Sequence, residues 1–225
     1  MDFFSQLQAA TDSERQEFLG APVIQQTLNG VGVVALETYI AFLCEAYHHV
    51  KHTVPLLMTC GGRLPERVNW LRTAVAEYIA EEIGHEEWIL NDIKASGGDA
   101  EAVRNGQPGM ATELIVAYAY DTVQRNNPVG FFGMVFVLEG TSIALATRAA
   151  EITRTALGLP QQAFSYLESH GTLDLEHMQF FEKLMNRISA AEDRQTIIHV
   201  AKVFYHLYGN IFRALPPLSD KTATV

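Results

Sequence analysis

Residues 128–147, PVGFFGMVFVLEGTSIALAT, decide how this chain is read. The stretch carries a single charge and approaches the length that spans a bilayer, yet that charge, Glu139, falls near its middle and the flanks show no basic bias. Mean hydropathy over the chain is only +0.04. A helix buried on all sides inside a folded protein accounts for both facts, so no membrane partner is expected.

Outward from this stretch, apolar residues recur at steps of three and four almost throughout, without sustained alternation bounded by Asn-Gly or Asp-Gly turns. The expected class is all-α, a compact bundle of about seven helices in one domain, residues 1–218, with a frayed polar tail, 219–225. Gly20 to Pro22 closes a short N-terminal helix whose Thr11 to Glu14 reads as a capping box. A long second helix, about Gly32 to Met58, is expected to kink at Pro55 and stop at Cys60-Gly61-Gly62. The third runs from about Pro65 to Ala95, and a Gly- and Asn-rich connection, 98–109, leads into Met110 to Arg125. The apolar helix, Val129 to Leu157, and two more, Thr172 to Ala190 and Glu192 to Ala214, complete the bundle.

With 225 residues, 48% of them apolar, the chain can bury one sizeable core. Lys and Arg number 16 against 26 Asp and Glu, and the resulting charge of -10 repels phosphate backbones and anionic lipid. Nucleic acid is therefore not expected as a partner; a small-molecule substrate is. Two cysteines, Cys44 and Cys60, with no CxxC, exclude a disulfide scaffold or zinc knuckle. The opening MDFFSQLQAATDSERQ has neither a basic start nor a long apolar run, so a cytoplasmic location is expected.

Three pieces of sequence carry chemistry. Glu139 is the only acid between Asp121 and Glu151, and its helical neighbours Phe132, Val135, Phe136 and Ile143 are apolar. A buried carboxylate there must be protonated, paired with a base from another helix, or bound to a cation. Arg148 lies nine positions on, roughly half a turn round the helix, and cannot reach it. Next, His170, Asp174 and His177 form H-x3-D-x2-H, which steps of four and three place on one helical face. By composition the pattern should arise by chance about 0.01 times in such a chain. Two imidazoles and a carboxylate are a ligand set used by non-haem ferrous sites.

The last piece is Glu81-Glu82-Ile83-Gly84-His85-Glu86-Glu87. Tyr78, Glu82, His85 and Ile89 share a stripe, so Glu82 and His85 form an E-x2-H pair beside apolar positions, while the surplus acids read as solvated. Helical bundles build dinuclear sites from such pairs plus single acids on facing helices. A rival cluster, Glu45, His48, His49 and His52, could hold an adventitious zinc, or could support the main site from outside the ligand set.

Taken together, Glu82 and His85, the lone Glu139, and H-x3-D-x2-H resemble the haem-oxygenase-like dimetal oxidases and oxygenases, iron-containing redox enzymes that share their fold with the TenA and PqqC proteins and the chlamydial death-domain-associating protein. The resemblance covers the chain from the second helix to the last. It implies a haem-oxygenase-like, TenA-like bundle in which Glu82, His85, Glu139, His170, Asp174 and His177 bind two iron ions, or iron and manganese. O2 would be the co-substrate of a non-haem diiron oxygenase or oxidase acting on a small organic molecule, carboxylate-bearing ones included, and a homodimer is compatible with it. Some members carry a further acid one or two turns before the E-x2-H pair, where this chain has Val75 and Tyr78, with Glu77 off the stripe. The alternative within the same fold is a metal-free, PqqC- or TenA-like protein: a cofactorless oxidase, hydrolase or binding module. The TenA branch uses a cysteine in the central apolar helix, and here no cysteine follows Cys60.

Overall fold

The computed structural model of the chain describes residues 1–29 and 34–217, and of residues 170–177 the backbone only. Among the described residues the regular structure is helical throughout, with α-helices α1 (Phe3–Ala10), α2 (Asp12–Leu19), α3 (Pro22–Leu28), α4 (Leu36–Val50), α5 (Thr53–Arg63), α6 (Leu71–Glu82), α7 (His85–Ala95), α8 (Ala100–Arg104), α9 (Met110–Arg125), α10 (Phe131–Leu157), α11 (Ser165–Arg187) and α12 (Ala191–Ala214). The all-α expectation holds, but the segments outnumber the seven expected because several long periodic stretches are broken by backbone chemistry.

The N-terminal stretch is two helices. Asp2 caps α1 by accepting from the Ser5 N–H at 2.8 Å. Thr11 begins α2 without capping it, since its hydroxyl donates to the Leu7 carbonyl at 2.8 Å, so the expected capping box does not form. The second stretch breaks at Lys51 and His52, between α4 and α5. Pro55 sits in the first turn of α5, where a missing N–H costs nothing, and Gly61 and Gly62 lie inside that helix instead of ending it. The third is cut at Gly84, whose φ of 93° no helix accommodates, leaving Glu82 as the last residue of α6 and His85 as the first of α7. The connection 98–109 contains a helical turn, α8, capped by Asp99.

Expectation and structure agree closely for α9 and α10, the latter ended by Gly158 in the left-handed region. Helix α10 is the axis of the fold. Its first turns, Phe131 to Val137, are buried against α11 and α12, and each fully buried Phe there contributes about 2–3 kcal/mol. At Gly133 a Cβ would lie 2.5 Å from the Ile197 carbonyl oxygen and 2.8 Å from the Ala201 nitrogen, so α10 and α12 meet backbone to backbone. This packing accounts for the hydropathy of residues 128–147. A second apolar cluster joins α4 (Tyr39, Leu43, Tyr47) to α7 (Ile89, Leu90, Ile93) and to Phe164.

Helix α11 begins seven residues before the expected Thr172. Its free N-terminal N–H groups are met by a residue distant in sequence: buried Asp92 of α7 accepts from the Ser165 N–H at 3.0 Å, the Tyr166 N–H at 2.9 Å and the Ser165 hydroxyl at 2.5 Å.

Candidate functional site

Between α3, α4, α6, α10 and α12 the bundle leaves a cavity of about 200 Å³. Its walls are mainly apolar, with Phe42, Leu57, Met134, Leu138 and Leu145 among them. Glu82 and Glu139, singled out from two separate stretches of sequence, both border it. Glu139 was expected to be buried; it is partly so, and its side chain borders this space. Phe132, Val135 and Phe136 around it are buried as expected.

The E-x2-H pair survives the break in its helix. Across the Gly84 turn, His85 Nδ1 lies 3.2 Å from Glu82 Oε2, and the imidazole is only 4% exposed, stacked on Trp88 at 4.0 Å between ring centroids. A left-handed residue between the two ends brings them together where one continuous helix was expected to. The surplus acids go elsewhere: Glu81 is exposed, and Glu87 takes a bidentate pair of bonds from Arg104 at 2.7 and 2.8 Å. Val75 and Tyr78 are buried and Glu77 is exposed, so α6 offers no further acid toward the interior at those positions.

His170, Asp174 and His177 fall on α11, but their side chains lie outside the described residues. Among the described residues no group of three or more His, Cys, Asp or Glu side chains is arranged to hold a metal. The rival cluster disperses. Glu45 accepts from the Gly109 N–H at 3.0 and 3.2 Å, His48 Nδ1 is 3.1 Å from Lys51 Nζ, and His52 Nδ1 is 3.1 Å from the Tyr120 hydroxyl. His49 Nδ1 donates to the Glu45 carbonyl at 3.0 Å, and its ring borders the same cavity as Glu82 and Glu139. His49 is thus a wall of the site. Burial, with Lys51 adding to it, holds both His48 and His52 below the usual histidine range.

Neither thiol suits nucleophilic chemistry. Burial pushes Cys60 up to about 12 and raises Cys44 as well, and neither lines the cavity. Tyr39 does, but its hydroxyl donates to the Ala163 carbonyl at 2.6 Å, and burial holds it far above the ordinary phenol range. Two further residues escaped sequence reasoning. Asp92, which anchors the helix bearing 170–177, sits two turns past His85 among other acids, and only its spacing from the apolar Ile89 and Ile93 set it apart. Ser142, three residues after Glu139, gave no signal beyond helical spacing.

Residues 40–209 match the family described as iron-containing redox enzyme, which is well over half of the chain. The chain belongs to that family. Among solved structures, this family member is similar to a domain of unknown function with a heme oxygenase-like fold from Shewanella denitrificans, at 24% identity and TM-score 0.81, covering 94% of this chain and 90% of that one. It is also similar to a TenA homolog from Pseudomonas syringae pv. tomato, at 9% identity and TM-score 0.78, over 93% and 90% of the two chains. The heme oxygenase of Leptospira interrogans aligns at 16% identity and TM-score 0.76, over 96% and 100%. At these identities the likeness concerns the fold, which for this redox-family chain is heme oxygenase-like and TenA-like. No functionally curated protein matches it.

Proposed function

We propose that the chain is an O2-using, non-haem iron oxidase or oxygenase of a small organic substrate. Glu82, His85, Glu139, His170, Asp174 and His177 would be the ligands of two iron ions, or of iron and manganese. The observation that carries this reading is that Glu82 and Glu139, from separate helices, border one largely apolar cavity, with buried His85 against Glu82. Two carboxylates facing such a space are costly without a cation. Carboxylate oxygens and imidazole nitrogens are a donor set that ferrous and manganous ions accept, so the residues present fit the metal. Residues 170–177 belong to α11, which packs on α10, and their sequence holds the imidazoles of His170 and His177 and the carboxylate of Asp174 at helical spacing, with Glu176 one position off.

Bound iron would supply the redox chemistry that couples reduction of O2 to oxidation of the substrate. The chain supplies the rest. Glu82 Oε2 lies 3.2 Å from His85 Nδ1, so the carboxylate and the imidazole stand side by side as donors. The apolar walls limit water at the reacting atoms, and Asp92 holds the start of α11 to the helix that opens with His85.

Protein prepared without metal and loaded with Fe(II) under anaerobic conditions tests the reading. Iron content of about two ions per chain is expected, with an optical change on adding O2, and Glu139→Ala and His85→Ala should each lower the iron content at least twofold. Less than one iron per chain, or variants that load like the parent, would overturn it in favour of a metal-free function on the same fold.

A further inference from the structure

We infer that the substrate has an unbranched aliphatic body, which lies in the part of the cavity beyond Glu139 with the reacting end toward that carboxylate. The inference rests on the oxidase reading for what happens to that end, and adds to it the shape of the molecule. The cavity follows one face of α10 at steps of three and four, from Phe131 to Thr153, and Glu139 divides that face unequally. Before it stand Phe131, Met134, Val135 and Leu138, all large. After it stand Thr141, Ser142, Ala146, Ala149 and Thr153, all small, with Leu145 the exception. From Glu139 to Thr153 these short side chains leave room beside α10 over on the order of 20 Å of helix.

Exposure follows the same divide. Phe131, Met134 and Val135 are buried, whereas Ser142, Leu145 and Ala149 stay partly accessible. Neighbouring elements close the long part. The Arg148 guanidinium donates to the Leu28 carbonyl at 2.8 Å, which holds α3 against this half of α10. Val34, Tyr39, Tyr166 and Leu167, in one apolar cluster with Ala146, line the same cavity. A volume of about 200 Å³ drawn out along such a face is narrow, so it admits a chain and excludes a compact ring of equal carbon count. Glu139, the lining acid of α10, stands at the start of this part, where a functional group on the end of the chain would meet it.

Calorimetric titration of metal-free protein with straight-chain alcohols from 1-butanol to 1-octanol, and with cyclooctanol, tests the inference. Each added CH2 should tighten binding about three- to fourfold. Octanol should bind at least about tenfold tighter than cyclooctanol. Ala149→Trp should abolish the gain from the longer chains, and Ala146→Phe serves the same end if that variant does not fold. Met134→Phe, on the other side of Glu139, should leave octanol binding within about twofold of the parent. With Mn(II) bound, paramagnetic broadening should be greater for the carbinol protons of octanol than for its methyl protons. Cyclooctanol matching octanol, affinity that does not rise with chain length, or a folded Ala149→Trp that binds like the parent would overturn the inference. So would Met134→Phe weakening octanol as much as Ala149→Trp does, or a methyl group broadened more than the carbinol. A chain that holds neither Fe(II) nor Mn(II) but keeps the rise with chain length would sink the oxidase reading alone; a metal-loaded chain without that rise would sink only the substrate shape.

Discussion

Asp92 of α7 and Ser165 of α11 are joined by two hydrogen bonds, one to the Ser165 N–H at 3.0 Å and one to its hydroxyl at 2.5 Å. The carboxylate is fully buried, and burial raises it above the usual range despite these bonds and a third from Tyr166. Removing it leaves the first N–H groups of α11 without acceptors. Asp92→Ala should cost about 1–2 kcal/mol in urea denaturation. Asp92→Asn keeps one acceptor and should fall between the two. Loss of hydrogen-exchange protection in 165–169 should accompany the change, and unaltered protection there would refute the cap.

Acidification should destabilise the fold through His48 and His52. Both are held below the usual range by burial, with Lys51 adding to the effect. The folded chain therefore binds fewer protons than the unfolded one as pH falls below about 6.5. Stability from these groups is present above that pH and is lost as pH drops toward their lowered folded values. The urea midpoint should be lower at pH 5.5 than at pH 7.5, and a His48→Gln, His52→Gln double variant should show a smaller difference.

Gly84→Ala isolates the cost of the α6–α7 joint. A Cβ there meets no atom within 4 Å, so the penalty comes from a φ of 93° alone. About 1–2 kcal/mol should be lost, with weaker Fe(II) binding if the turn sets the Glu82 and His85 separation. An unchanged melting temperature would show that the turn carries no strain for alanine.

Gly133→Ala tests the contact between α10 and α12. An added methyl would push on backbone atoms of Ile197 and Ala201, which have no rotamer to change. A loss of about 2 kcal/mol or more is expected, seen as a melting temperature lower by about 5 °C or more. A change of under 1 °C would mean that the two helices can part without cost.

Much of this molecule is written in local pattern. The apolar run with one acid identified α10 and Glu139, and Gly158 and Asn126-Asn127-Pro128 marked ends that the chain uses. What escaped was decided by contacts between distant residues or by single torsions. The N-terminus of α11 is set by Asp92, more than seventy positions away. The break at Gly84 depends on a torsion that glycine permits but does not announce, and the hydroxyl of Thr11 chose a carbonyl behind it over the cap ahead. The pairing of Glu82 with His85 was legible because a spacing of three brings side chains together across a tight turn as well as along a helix. The shared cavity of Glu82, Glu139 and His49 was not, since it depends on how helices pack.

The backbone contact at Gly133 also bears on how such a pocket can diversify. Phe131, Met134 and Val135 belong to the same turns, so that part of the chamber is clamped to α12 and has little freedom to be enlarged or narrowed. Another part of the wall is built by α3, seven residues long, whose Val23, Ile24, Thr27 and Leu28 line the space. New ligand preferences would arise most readily there, by resizing a short segment while Glu82 and Glu139 stay as they are.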